Sequence, residues 1–157
     1  MLICYWLLSN LLNIIINNNN IVNFNVNIAN IKELVTNDKS FYKNSININY
    51  EHRIKSQQRI IEKLNKQRIP YDIYGLRIIY EDSLDINNSE IAYTIKNLLY
   101  TNFYTIDCFY DDYIKYPKAN NYQSLHVYIV TNILIEVQIR NSLMNINTIN
   151  GTASNYY

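Results

Sequence analysis

Two segments in the last third of the chain alternate polar and apolar side chains, and this alternation limits the possible folds most strongly. Successive side chains of a β-strand point to opposite faces of a sheet. Residues 123–130 and 135–140 therefore each predict a strand with one polar and one apolar face, and Tyr122 directly precedes the first. The predicted polar face carries Tyr122, Ser124, His126, Glu136, Gln138 and Arg140. Two such strands side by side would build the floor of a polar site over a packed core.

The length of the loop between these strands decides whether their polar faces coincide. Residues directly opposite in an antiparallel pair point to the same face, and a shift by one residue reverses the face. A two-residue turn would place Glu136 opposite an apolar residue. A three-residue loop over 131–133 places Glu136 opposite Tyr128 and Gln138 opposite His126, so we predict the three-residue loop.

The rest of the chain predicts helices and strands in alternation. Amphipathic helices carry an apolar residue every three to four positions; Ser56 can cap one such helix, and Ser89 begins another. This order predicts an α/β (α+β) fold, with helices packed on a mixed sheet. The predicted strands are 46–53, 72–80 and 103–110. The predicted helices are 31–43, 56–67 and 142–150, with a further helix that begins at Ser89.

The first 40 residues differ in composition from residues 41–157, which we predict to form one domain. Residues 1–16 are apolar but interrupted by polar residues, so they fit neither a secretory signal nor a spanning helix. Asn17 to Asn20 is a low-complexity run. We interpret the segment as a poorly conserved helix or a misassigned gene start, with an organellar leader or a peripheral membrane segment as alternatives. The expected location is cytoplasmic, or a plastid-type organelle if the segment is a leader.

The net charge and the cysteine content limit which partners and metals we expect this chain to bind. The net charge is +1, so no overall basic field predicts direct binding of nucleic acid. Cys4 and Cys108 cannot form a disulfide framework, and with His52 and His126 they give no zinc-binding spacing. Anion binding must therefore come from local clusters of cations. One such cluster is the stripe of Lys55, Arg59 and Lys63 at helical spacing, although a solvated helix face is the simpler interpretation.

The same segments carry a long ordered motif. The loop reads Tyr-Ile-Lys-Tyr-Pro-Lys-Ala-Asn-Asn-Tyr-Gln-Ser-Leu-His over residues 113–126, and Glu-Val-Gln-Ile-Arg follows over 136–140. Both closely resemble the hallmark motifs of the RelA/SpoT alarmone synthetase family. The resemblance implies a nucleotidyltransferase-like fold with a five-stranded mixed sheet. It also implies transfer of pyrophosphate from ATP to the ribose 3′-hydroxyl of GDP or GTP, with Mg²⁺ as the cofactor, and it allows a homo-oligomer.

The resemblance also assigns roles to individual residues. Asp72 and Glu136 match the metal-binding carboxylates, and Glu136 matches the residue that helps to activate the 3′-hydroxyl. Without the resemblance, a salt bridge is the simpler interpretation of both acids. Asp72 and Arg77 would lie on opposite faces of a regular strand, so Asp72 precedes the strand or Gly75 marks a bulge. The positions matching the ATP site are Arg53, Lys55, Lys63 and Arg77, and those matching the GDP/GTP site are Lys118, Asn120, Tyr122, His126 and Gln138.

Several positions depart from the family pattern. Arg59 replaces a serine, Asn121 replaces a glycine, and Ile149 and Asn155 replace a Glu and a His near the end of the chain. Asn tolerates a positive φ better than other non-glycine residues, so Asn121 fits a left-handed position. Asp111 and Asp112 resemble the acidic variant found in members that only synthesise alarmones. No His-Asp pair for alarmone hydrolysis occurs in the sequence.

Two other functions remain open at this point. The same donor chemistry could serve a different acceptor, either an adenine nucleotide or the 3′ end of a tRNA. Alternatively, the departures at Arg59, Ile149 and Asn155 are consistent with a catalytically inactive module that binds guanine nucleotides.

Overall fold

The computed structural model describes residues 13, 15–42, 46–81 and 89–150. Two helices precede the first strand, one helix follows each of the first two strands, and a last helix follows the final strand. In chain order the elements are α1 (Asn18–Thr36), α2 (Lys39–Tyr42), β1 (Asn47–Ile54), α3 (Gln57–Asn65), β2 (Tyr74–Glu81), α4 (Glu90–Asn102), β3 (Tyr104–Thr105), a 3₁₀ turn (Asp107–Phe109), β4 (Asp111–Asp112), β5 (Leu125–Val130), β6 (Leu134–Asn141) and α5 (Ser142–Asn150).

One mixed sheet crosses the described part of the chain in the order β1-β2-β6-β5-β3. β2 and β6 run parallel, and the other pairs are antiparallel. The two-residue strand β4 also pairs with β5 and lies beside the same edge as β3. The predicted mixed sheet flanked by helices is confirmed, and its fifth position is divided between two short strands.

The predicted loop between β5 and β6 is confirmed. Val130 pairs with Leu134, so three residues, Thr131 to Ile133, connect the strands. The backbone N–H of Thr131 donates to the carbonyl of Ile133 at 2.9 Å and closes the loop. Glu136 accordingly lies opposite Tyr128, and Gln138 lies opposite His126.

The apolar face of the sheet forms the main core. Leu76 and Ile78 of β2 alternate with polar-face residues, and their side chains are at most 1% exposed. α1 and α4 cover this face, because both carry an apolar stripe at helical spacing. The residues that these helices bury in the core are Phe24, Ile28, Ile31 and Val35 from α1 and Ile91, Ala92, Ile95 and Leu99 from α4.

α1 begins at the asparagine-rich run. Asn17 is its N-cap, and its side chain accepts a hydrogen bond from the backbone N–H of Asn20 at 2.8 Å. The helix continues to Thr36, so the helix predicted over 31–43 starts earlier and breaks before the short α2. Residues 1–12 and 14 of the predicted N-terminal segment lie outside the described residues. No helix among the described residues is long and apolar enough to span a bilayer.

The strand predicted over 103–110 is wrong for most of its length. Only Tyr104 and Thr105 pair with β5, and a 3₁₀ turn follows. The aromatic residues that suggested a strand make lateral ring contacts instead: the ring centroid of Phe109 lies 4.5 Å from that of Tyr71 and 5.4 Å from that of Tyr128. Aromatic β-propensity reflects packing on a half-buried surface, and here tertiary ring contacts supply that packing without a strand.

The position of Asp72 relative to β2 resolves the conflict with Arg77. β2 begins at Tyr74, so Asp72 precedes the pleated part of the chain. Gly75 pairs with Arg53 on one side and with Glu136 on the other, and the ladder continues without a bulge. Asp72 is therefore free to point toward the polar face at the mouth of the strand.

Candidate active site

A cleft of about 610 Å³ lies over the polar face of the sheet. Strand ends β1 and β2, helix α3, and the loop before β5 form its walls. Six cationic side chains and three carboxylates line it, so its charge favours a polyanionic ligand. The charged lining residues are Arg53, Lys55, Arg59, Lys63, Arg68, Lys118, Asp72, Asp111 and Glu136.

The cleft brings together ten of the eleven side chains that the sequence predicts for the site. The exception is Arg77, which lies farther along β2. The ten are Arg53, Lys55, Lys63, Asp72, Lys118, Asn120, Tyr122, His126, Glu136 and Gln138. Their individual roles stay predictions, but their meeting in one cavity follows from the sheet register and the capping of α3.

Asp72 lies between two lysines at the end of the cleft that α3 borders. Its Oδ2 contacts the Nζ of Lys55, and its Oδ1 lies 2.8 Å from the Nζ of Lys63. Burial alone would raise the pKa of this carboxyl, but the hydrogen bonds and charges of the two lysines outweigh burial and lower the pKa to about 2. Burial also lowers the pKa of Lys55, and Asp72 opposes that effect. Asp72 is therefore ionised at neutral pH.

Helix α3 delivers these cations to the cleft. Ser56 caps its N-terminus by accepting from the backbone N–H of Arg59, as the sequence predicted. Its C-terminus closes with two backbone bonds, from Gln67 N–H to Leu64 and from Arg68 N–H to Lys63. Gln67 has φ 55°, so this is a Schellman-type end with glutamine in the left-handed position. The reversal turns Arg68 into the cleft.

Glu136 is held by three donors on the floor of the cleft. The hydroxyl of Tyr128 donates to Oε1 at 2.9 Å, the amide of Gln138 donates to Oε2 at 3.0 Å, and Nδ1 of His126 lies 3.1 Å from Oε1. Burial raises the pKa of Glu136, and the interactions with His126 and Tyr128 outweigh it, so the pKa is lowered overall. Burial and the adjacent carboxylate in turn raise the pKa of Tyr128 far above its usual range.

His126 links the floor of the cleft to the loop that precedes β5. An ionised carboxylate only accepts hydrogen bonds, so Nδ1 of His126 carries the proton toward Glu136. Its Nε2 lies 2.8 Å from the hydroxyl of Tyr122. The Nζ of Lys118 lies 4.1 Å from the ring centroid of Tyr113 and 5.2 Å from that of Tyr122, which gives cation–π contacts.

The loop conformation depends on Asn121. This residue has φ 61°, as its place in a glycine position of the motif predicted. Its backbone N–H donates to the carbonyl of Lys118 at 2.8 Å, and the N–H of Lys118 donates to the carbonyl of Tyr122 at 3.2 Å. The tight turn fixes the distance between Lys118 and Tyr122 at the cleft wall.

Arg77 and Arg140 share the polar face but lie outside the main cleft. Arg77 Nη1 forms an ion pair with Glu51 Oε2 at 2.6 Å and lines a neighbouring cavity of about 100 Å³, together with Arg53 and Gly75. Arg140 is fully buried, and its Nη1 donates to the hydroxyl of Thr148 at 3.1 Å. The polar face of the sheet therefore continues beneath α5, and the hydrogen bond from Arg140 to Thr148 connects β6 to this helix.

Six cleft residues were not among the predicted site residues: Arg59, Arg68, Asp111, Tyr113, Ala119 and Tyr128. Tyr128 could have been found, because the predicted register already placed it opposite Glu136. Asp111 and Tyr113 line the cleft beside the motif loop, and burial followed by a hydrogen bond to Asp111 raises the pKa of Tyr113 to about 12. Arg68 had no sequence signal, because its direction depends on the left-handed turn before it.

Of the two departures from the family pattern near the end of the chain, only Ile149 lies among the described residues. Ile149 lies on α5, is 54% exposed, and does not line the cleft. Asn155 lies outside the described residues. Arg59, by contrast, lines the cleft directly.

The fold and the cleft together define a class of protein: a mixed α/β domain with a cation-rich cleft, centred on carboxylates, across the polar face of its sheet. The family follows from sequence and structure comparison. The chain belongs to the RelA/SpoT family, because the family model described as the region found in RelA / SpoT proteins matches residues 52–157. The resemblance seen in the two motifs is confirmed.

Individual relatives agree with this assignment. The chain is 32% identical over 124 residues to a guanosine-3′,5′-bis(diphosphate) 3′-pyrophosphohydrolase of Aquifex aeolicus, covering 75% of this chain and 17% of that protein. It is 31% identical over 110 residues to a chloroplastic protein of Arabidopsis thaliana named probable GTP diphosphokinase RSH2, covering 66% of this chain and 15% of that protein. The crystal structure of small alarmone synthetase 1 from Bacillus subtilis superimposes with a TM-score of 0.62 at 25% identity, covering 86% of this chain and 76% of that one.

The extent of these matches differs between the curated relatives and the solved structure. The chain spans less than a fifth of the length of the two curated relatives, and about three quarters of the small synthetase. The shared part is therefore a small portion of the two longer proteins.

Proposed function

We propose that this chain is a (p)ppGpp synthetase, a GTP/GDP pyrophosphokinase that transfers pyrophosphate from ATP to the ribose 3′-hydroxyl of GDP or GTP. The observation that carries the proposal is the convergence of Asp72 and Glu136 on one cleft, beside Tyr122 and six cations. Pyrophosphoryl transfer needs two nucleotides positioned together and their phosphate charge neutralised, and the cleft offers both.

The donor end of the cleft suits the triphosphate of ATP. Lys55 and Lys63 lie together at Asp72, and Arg53 lies between this end and the small neighbouring cavity. Arg77 lines that cavity as well, and guanidinium planes stack well on aromatic bases. We assign the phosphates to the lysines and the base to the two arginines.

The opposite wall suits the acceptor nucleotide. Tyr122 offers an aromatic ring beside the cation of Lys118, and Asn120 offers an amide. His126 and Gln138 line the floor between this wall and Glu136. We assign the guanine to Tyr122 and Asn120, and the ribose and phosphates to Lys118, His126 and Gln138.

Glu136 is suited to accept the proton of the attacking hydroxyl. In the proposed reaction the 3′-oxygen of the acceptor forms a bond to the β-phosphorus of ATP, the bond from that phosphorus to the bridging oxygen of the α-phosphate breaks, and AMP leaves. The lowered pKa of Glu136 keeps it ionised at neutral pH, and hence able to take up the proton. A carboxylate of low basicity suffices, because the transition state of such transfers is loose.

The two carboxylates fit a magnesium ion shared with the substrate. No group of three or more His, Cys, Asp or Glu side chains that could hold a metal occurs among the described residues. Mg²⁺ commonly takes only one or two carboxylates and completes its shell with phosphate oxygens and water. Asp72 and Glu136 would hold the ion. When bound, it would neutralise charge on the transferred phosphates.

The similarity to small alarmone synthetase 1 and to a protein named GTP diphosphokinase supports synthesis. The Aquifex relative carries a hydrolase name, but this chain matches only 17% of its length, and the sequence contains no His-Asp pair. Synthesis is therefore the activity that the matched region supports.

The experiment is an incubation of the protein with labelled ATP, Mg²⁺ and a panel of acceptors, resolved by chromatography. GDP or GTP should yield a 3′-pyrophosphorylated product together with AMP, and Glu136→Gln should abolish it. Product formed only with an adenine nucleotide or a tRNA would reassign the acceptor. Binding of guanine nucleotides without turnover would identify an inactive binding module, a reading favoured by one observation, the extra cation Arg59 in the cleft.

A further inference from the structure

The two central carboxylates of the cleft have different kinds of partner. Glu136 receives bonds from a tyrosine hydroxyl, a glutamine amide and His126, so its partners are not permanent cations. Asp72 has one lysine on each oxygen, Lys55 on Oδ2 and Lys63 on Oδ1. Any cation that approaches Asp72 must therefore compete with a lysine.

The two lysines are not equally fixed. The Lys55 side chain is 6% exposed, and the backbone N–H of Lys55 donates to the carbonyl of Ile73 at 2.8 Å, so its ammonium cannot leave Asp72 without remaining buried and unpaired. The Lys63 side chain is 37% exposed and sits in the last turn of α3. The ammonium of Lys63 can therefore leave Asp72 and still reach solvent or another anion.

Two arginines lie close to Lys63 in the cleft and can attract a polyphosphate. Arg59 lies one helical turn before it, and Arg68 is turned back beside it by the end of α3. Neither arginine has a carboxylate within ion-pair distance in the described part of the chain. A polyphosphate drawn to these two cations would meet Lys63 and compete with Asp72 for its ammonium.

We propose that Lys63 is an exchangeable counter-ion of Asp72: it neutralises the carboxylate until a polyphosphate takes it over, and only then is Oδ1 released to a divalent cation. Binding of the polyphosphate donor and of the cation is consequently coupled, and each strengthens the other. The inference rests on the proposed function, because it assumes that the donor enters at this end of the cleft. It assigns Lys63 a positioning role beyond phosphate binding.

The first test measures binding of Mn²⁺ alone, by the loss of the electron paramagnetic resonance signal of the free ion. Lys63→Gln should bind Mn²⁺ about tenfold more tightly than the wild type, because a neighbouring positive charge and its bond to Asp72 are gone. Adding Asp72→Asn to this variant should cancel the gain. Arg59→Gln is the matched control, since it removes a cleft cation that does not contact Asp72. Equal Mn²⁺ affinity of the wild type and Lys63→Gln, or an equal gain in Arg59→Gln, would overturn the proposal.

The second test measures binding of ATP by calorimetry in EDTA, where no divalent cation is present. Asp72→Asn should bind metal-free ATP about tenfold more tightly than the wild type, because Lys63 no longer has to leave a carboxylate. The gain should disappear when Lys63→Gln is added, and Asp111→Asn, which removes another cleft carboxylate, should show less of it. Unchanged or weaker binding by Asp72→Asn contradicts the exchange.

The two failures can be told apart. If no variant binds ATP or GDP with or without Mg²⁺, the proposed function fails, and the Mn²⁺ titration still decides whether Lys63 blocks Asp72. If nucleotides bind and turn over normally but neither titration responds to Lys63, the synthetase activity stands and the exchange is wrong.

Discussion

Acid should weaken this fold through Asp72 in a calculable way. The pKa of this carboxyl is lowered from its ordinary value of 3.8 to about 2 in the folded chain, where burial opposes the effect and the two lysines produce it. One pKa unit corresponds to about 1.4 kcal/mol, so ionisation of Asp72 contributes about 2.4 kcal/mol to the free energy of unfolding. The side chain is only 12% exposed, which keeps solvent screening small.

The sign of the effect follows from the direction of the shift. A carboxyl whose folded pKa is depressed contributes stability above its unfolded pKa, and the contribution is lost as the pH falls toward the folded pKa. Between pH 7 and pH 3, we expect the contribution of Asp72 to fall by about 1 kcal/mol.

Urea unfolding followed by far-ultraviolet circular dichroism, in EDTA at pH 7, 5, 4 and 3, measures this loss. The difference in unfolding free energy between the wild type and Asp72→Asn should narrow by about 1 kcal/mol over that range. Glu33→Gln, which removes an exposed carboxylate on α1, is the control for general acid effects. A difference between wild type and Asp72→Asn that stays constant from pH 7 to pH 3 would refute the reasoning.

Three further predictions concern the floor and the turns of the cleft. Tyr128→Phe removes a donor that lowers the pKa of Glu136, so this pKa should rise and the acidic limb of the pH profile of kcat/KM should move to higher pH; an unmoved limb would contradict this role. Asn121→Val should lower the free energy of unfolding by about 1–2 kcal/mol, because a β-branched residue is strained at φ 61°, whereas Asn121→Gly should not, and equal urea midpoints for both would rule the strain out. Gln67→Gly should raise the free energy of unfolding by about 0.5–1 kcal/mol in the same assay, since glycine relieves the left-handed position at the end of α3, and a loss of stability would contradict that account.

Short-range sequence patterns were enough to predict most residues of the polar sheet face that forms the floor of the cleft. The three-residue loop between β5 and β6 followed from the two-residue period of side chains, because only an odd loop aligns Glu136 with Tyr128. Ser56 identified the start of α3 because a hydroxyl at that position satisfies a free backbone N–H. In both cases a short stretch of sequence contains all the interactions that decide the structure.

The features that sequence reasoning missed depend on distant contacts. The segment around Phe109 resembles a strand by composition, but its rings pack against Tyr71 and Tyr128, which come from other parts of the chain. The ion pair of Arg77 with Glu51 was not predicted either, because it depends on the pairing of β1 with β2. A sequence pattern states the residue type at such positions but not the partner that tertiary structure provides.

The parallel pairing of β2 with β6 has a consequence for how the molecule assembles. Gly75 pairs with Glu136, 61 positions later in the chain, and Glu136 lines the cleft. No hairpin or helix can bring these strands together early, because closing so long a segment costs chain entropy before any contact is gained. During refolding we therefore expect the β5–β6 hairpin and the antiparallel β1–β2 pair, with α3 between its strands, to form first, and the cleft to arise only when these two pairs join. Recovery of ligand binding would then trail the recovery of secondary structure.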